Sequence, residues 1–120
     1  MKENLLPENT EQKIDKREKE ISNLIDSAIK FLDLKPEQII VERTKKETKI
    51  TPEARLMVAL ASQELKTAAE LLGESNSEKT IIIREIIEEL KEFMGAIIKR
   101  ERQLTVEQFE NIKNRLSGLV

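Results

Sequence analysis

Carboxylates and amines are the side chains with which this 120-residue chain could do chemistry, because it contains no His, no Cys, no Tyr and no Trp. Ser-His-Asp hydrolysis, cysteine nucleophiles and every Cys/His zinc site are excluded by composition. The three glycines, Gly73, Gly95 and Gly118, stand apart from one another, so neither a phosphate-binding loop nor a dinucleotide fingerprint is present. What remains is paired glutamates. Glu8/Glu11, Glu85/Glu88, Glu89/Glu92 and Glu107/Glu110 have the Glu-x-x-Glu spacing with which facing helices hold Mg²⁺ on a phosphorylated substrate. All-α nucleotide pyrophosphohydrolases work in this way, which makes such an enzyme the remote alternative. Twenty Glu in 120 positions produce about three such pairs by chance, and four are found, so the spacing carries little information. No catalytic, metal-ligating or cofactor-binding residue is assigned, and the expectation is a non-enzymatic protein without a cofactor.

The second chemistry open to the chain is phosphate contact by Lys and Arg. Net charge is −2, from 21 basic and 23 acidic residues, so any attraction for a polyanion must be local. Lys99, Arg100, Arg102, Lys113 and Arg115 are the candidate contacts, in a segment (98–116) of net +2. A local basic excess also marks Arg43 to Lys49, which has no apolar residue and reads as a solvated loop. The stretch Ala69 to Ser77 looks like the turn of a helix-turn-helix, but Glu74 and Lys79 stand where that motif needs buried aliphatics. A glycine C-cap followed by a serine N-cap accounts for the same letters. From Thr51 to Ser117 the order helix, long helix, short helix resembles a histone fold at the level of pattern. That resemblance implies paired chains that bind DNA or assemble into larger complexes. The segment that would face phosphate (64–92) is acidic, at −4, and three Phe at apolar periodic positions offer no stacking platform.

These side chains must be positioned by helices. From Thr10 to Leu34 the apolar residues Ile14, Ile21, Leu24, Ile25, Ala28, Ile29 and Leu32 recur at spacings of three, four and seven, predicting a helix that Pro36 stops. Its first half has only Ile14 to bury and is expected to project. Residues 36–42 read as a short helix opened by Pro36, or as a strand Ile39-Ile40-Val41, and the sequence leaves the two open. Thr51-Pro52-Glu53 is a strong helix start and Gly73 a strong stop. Between them Val58, Leu65 and Leu72 alternate with Ala54, Ala61 and Ala68 in one seam, and Leu56 to Ala61, apolar all round, is expected at the centre of the fold. Ser75 with Glu78 forms a capping box for a helix predicted over 76–102, in which Gly95 is expected to mark a close helix crossing. Thr105 with Gln108, and Leu104 with Phe109, predict a last helix over 106–117.

The expected architecture is therefore an all-α bundle of four to five helices (10–34, 36–42, 52–72, 76–102, 106–117). It consists of a flexible N-terminus (1–9) and one helical domain (10–120). Ile14, Ile21, Ile25, Ile83, Ile87, Leu90, Met94 and Ile97 form a face wider than one short bundle uses, so it is expected to serve self-association or another helical protein. The function expected from this is a homodimeric adaptor, regulator or assembly protein, with histone-like or helix-turn-helix-like DNA binding near 99–115 as the alternative. No apolar run reaches membrane-spanning length and no signal peptide is legible, so the expected location is the cytoplasm.

Overall fold

The computed structural model describes residues 2–73 and 77–120, with side chains from residue 16 onward except those of 42, 43 and 77. Among the described residues, five helices and a small three-stranded sheet follow one another along the chain. They are α1 (Lys2–Phe31), α2 (Pro36–Ile39), β1 (Ile40–Thr44), β2 (Glu47–Ile50), α3 (Pro52–Leu72), α4 (Ser77–Phe93), β3 (Ile97–Ile98) and α5 (Arg102–Ser117). The fold is mainly helical, as the periodicity predicts, and the antiparallel sheet β1-β2-β3 is an addition to it.

α3 packs against both α1 and α4. Its start is built as the sequence dictates. The Thr51 hydroxyl accepts from the Ala54 N–H at 3.0 Å and donates to the Gln38 carbonyl at 2.6 Å, so one side chain caps α3 and ties it to α2. Gly73 ends the helix at φ 64° and ψ −163°, a backbone conformation essentially confined to glycine and distinct from the left-handed helical C-cap. Ala54, Val58, Ala61, Leu65 and Ala68 are fully buried, so the seam of large and small residues holds up to Ala68, and Leu72 at its end is partly buried. Leu56 and Leu60 are not: the apolar girdle expected at the centre of the fold is covered on one side only. Among the α1 side chains described, the first in the core is Ile21, followed by Ile25, Ala28 and Leu32, while Lys16 to Glu20 are all exposed. α1 begins eight residues ahead of its predicted start and ends three before its predicted end. Lys35 is already extended ahead of Pro36 (φ −74°, ψ 151°), and Pro36 opens α2.

Both readings of 36–42 are realised in succession, a helix that stops at Ile39 and a strand from Ile40; residues 40–50 form a β-hairpin, which corrects the loop expected at Arg43 to Lys49. Ile40 pairs with Ile50 and Val41 with Lys49; Glu42 pairs with Thr48 and Thr44 with Glu47, so Arg43 is the extra residue of a bulge. Alternation then sorts the side chains, with Ile40, Thr48 and Ile50 inward and Val41 and Lys49 outward.

The largest departure from expectation lies at 94–102. The predicted helix to 102 ends at Phe93, Met94 and Gly95 close the last turn onto Lys91 and Glu92, and Ile97 and Ile98 join β2 as a third strand. Ile97 and Ile98 fall on helical spacing, yet a β-branched pair also suits a strand, and the open edge of β2 takes them. Gly95 therefore sits in a turn and not at a helix crossing. α5 begins at Arg102 with Glu101 as N-cap, four residues before its predicted start. Thr105 lies inside its first turn, donating to the Glu101 carbonyl at 3.0 Å, so the predicted capping box does not form. Leu104 is exposed and leaves Phe109 without the predicted staple. Phe109 instead meets Phe93 edge to face, with ring centroids 5.3 Å apart. The capping box at Ser75 lies outside the described residues. A strand between α4 and α5, and an α4 shorter than α3, do not match the histone-like order.

Candidate interaction surfaces

The apolar face expected to await a partner is used inside the protomer. Ile21 and Ile25 on α1, and Ile83, Ile87 and Leu90 on α4, all belong to the core of this one chain, where α3 covers them from between. Met94 is half-buried against that core and Ile97 is exposed on β3; the side chain of Ile14 lies outside the described residues. The width of the α4 stripe has a local cause, because α5 and the sheet supply a second layer, and the all-helical expectation lacks the sheet. Ile39, Ile40, Ile50 and Ile98 close the core from the sheet side.

Exposed apolar surface remains on α3. Leu56 is 56% and Leu60 39% exposed, one helical turn apart, with Ala59 exposed beside them and Met57 half-buried. This strip lies on the side of α3 turned away from Ala54, Val58 and Ala61. It escaped the sequence reading because the same letters, apolar all round, describe a wholly buried helix equally well. Elsewhere, a cavity of about 440 Å³ opens between α1, the end of α3, the start of α4 and the last two residues. Glu18 is its only side-chain carboxylate among the described residues.

The candidate phosphate contacts divide into two sets. Arg100 reaches Glu92 at 2.8 Å and also bonds Gln108; Arg115 is paired with Glu89; Lys113 lies 3.1 Å from Glu110 and over the Phe109 ring. Those three side chains tie α5 to α4 or to itself. Lys99 and Arg102 are exposed and make no ion pair among the described residues. The glutamate pairs meet cations in the same way. Glu88, Glu89, Glu92 and Glu110 each hold a Lys or Arg, and among the described residues no group of three or more carboxylates comes together as a metal site would require. Glu8 and Glu11 lie outside the described side chains. No described helix is long and apolar enough to cross a membrane. No family model, curated protein or solved structure matches the chain.

Proposed function

We propose that the chain is a non-enzymatic interaction module that pairs with a second copy of itself across α3. The observation supporting this reading is the strip Leu56, Ala59 and Leu60. A twofold axis passing near Ala59 sets Leu56 of one protomer beside Leu60 of the other, and the alanine lets the two helices approach closely. Such an isologous contact needs only one self-complementary patch. The expected interface thus moves from α1 and α4, whose apolar residues serve the protomer core, to the opposite side of α3.

One strip of a single helix is a small interface, so the dimer is expected at the weak end of specific association, with a Kd on the order of micromolar. Light scattering at roughly 100 µM is expected to return the dimer mass, falling toward the monomer on dilution. Leu56→Glu/Leu60→Glu places two carboxylates against two others across the axis and is expected to abolish dimerisation while leaving the thermal midpoint within a few degrees of wild type. A wild-type monomer at roughly 100 µM, or a double variant that still dimerises, overturns the reading.

A further inference from the structure

We propose that the hairpin end of the sheet, carrying Lys45, Lys46 and Lys49 together with Lys99 and Arg102, binds the phosphate backbone of double-stranded nucleic acid. Two basic segments some fifty residues apart in sequence become neighbours through strand pairing. Thr48 pairs with Ile98 in the antiparallel register of β2 and β3, so the residues after Ile98 run back alongside Glu47 and Lys46. The Thr48 hydroxyl fixes that path by donating to the Arg100 carbonyl at 2.6 Å. The Lys46 N–H, bonded to the Thr44 hydroxyl at 3.2 Å, holds the turn at the same end.

Charge is concentrated there. Residues 42–49 and 99–102 contain seven cations and three carboxylates, a net +4 on twelve residues of a chain whose total is −2. The remaining 108 residues therefore carry −6, which repels a polyanion from the rest of the surface and orients its approach to this end. Lys45, Lys46, Lys49, Lys99 and Arg102 are all exposed, and none makes an ion pair among the described residues. Arg100 turns away to Glu92, and the carboxylates Glu47 and Glu101 share the surface with the five cations.

The kind of polyanion follows from what accompanies the charge. Single strands are held by aromatic stacking, and Phe93 and Phe109 are in the core while Phe31 packs against it. A bilayer surface needs an apolar anchor, and the outer face of the sheet offers only Val41 and Ile97 on either side of Lys49. Four of the five cations are lysines, point charges suited to phosphate and less suited than arginine to the bidentate capture of an acidic peptide. A duplex presents one phosphate for about every 1.7 Å of its axis, so a compact patch of five cations meets several at once. The inference is independent of pairing across α3.

Fluorescence anisotropy of the full chain with a labelled DNA duplex of roughly two helical turns tests it. Binding is expected to weaken by about a hundredfold between about 50 and 200 mM salt, as four or so phosphate contacts imply. Lys45→Glu/Lys46→Glu and Lys99→Glu/Arg102→Glu should each lower affinity at least tenfold and flatten the salt dependence. Lys16→Glu/Lys19→Glu, the same change of charge on exposed α1 positions, should leave both unaltered. Lys46→Gln and Lys99→Gln give a milder, intermediate loss should a reversal variant fail to fold by circular dichroism. Absence of binding at the lower salt, equal loss in the α1 control, or equal affinity for polyglutamate or phosphatidylserine vesicles overturns the proposal.

Discussion

Thr48 and Thr105 are the residues on which the sheet and α5 depend for register. Both are fully buried, with hydroxyls 3.3 Å apart; Thr48 donates to the Arg100 carbonyl and Thr105 to the Glu101 carbonyl. Thr48→Val keeps volume and β-branching while removing the donor to the Arg100 carbonyl; the Thr105 hydroxyl keeps its bond to the Glu101 carbonyl. Stability is expected to fall by about 1–3 kcal/mol, read from urea denaturation. Thr48→Val/Thr105→Val removes both hydroxyls and should cost less than the sum of the single changes, because the two share one network. Additive costs would show that the hydroxyls act independently. Nothing in the sequence marks Thr48. Thr105 reads as an N-cap from its neighbours, and only the arrival of β2 from fifty-seven residues away makes it an interior hydrogen-bonding group.

At the scale of elements, legibility followed the range of the interaction that fixes each boundary. Thr51, Pro52 and Gly73 act on the backbone next to them, so the bounds of α3 can be read from sequence. β3 cannot, since Ile97 and Ile98 continue the isoleucine spacing of α4 and become a strand only through pairing with β2. The face formed by Ile83, Ile87 and Leu90 reads as an interaction face for the same reason: apolar width shows that a helix is covered on two sides, but not whether its own chain does the covering. The basic end of the sheet was likewise invisible, being two separate runs until the strands join them. Two glycines test this distinction. Gly73 has φ 64° with ψ −163° and open space around it, so Gly73→Ala should cost about 1–3 kcal/mol from backbone conformation alone. Gly95 has no positive φ, and a Cβ would meet the Glu92 carbonyl at 3.4 Å, an ordinary contact; Gly95→Ala is expected to lie within about 0.5 kcal/mol of wild type by thermal melting. A large cost at Gly95 would restore the close helix crossing that its sequence position suggested.

At the scale of the whole molecule, one cluster of buried side chains takes members from every helix and every strand, so the small sheet and the helices are expected to unfold together. Leu90 lies in that cluster at full burial, and Leu90→Ala should lower stability by about 2–5 kcal/mol. Ala61, fully buried in the α3 seam, has no room to grow, and Ala61→Leu should cost about 1–3 kcal/mol by overpacking. The informative measurement is the coincidence of two probes. Because the chain has neither Trp nor Tyr, far-UV circular dichroism follows the helices, and hydrogen exchange of the Ile50 amide, bonded to Ala96 at 2.8 Å, follows the sheet. In Leu90→Ala, which disturbs α4 and not the sheet directly, both free energies should drop by the same amount. Were the Ile50 amide to keep its wild-type protection, the sheet would be a separate folding unit, and the basic end it carries could be altered without reference to the helical core. The substitutions at Leu56, Leu60 and the five cations replace exposed side chains, so at concentrations where the wild type is monomeric neither probe should shift in those variants. Loss of pairing or of nucleic-acid binding then reports on the surface itself.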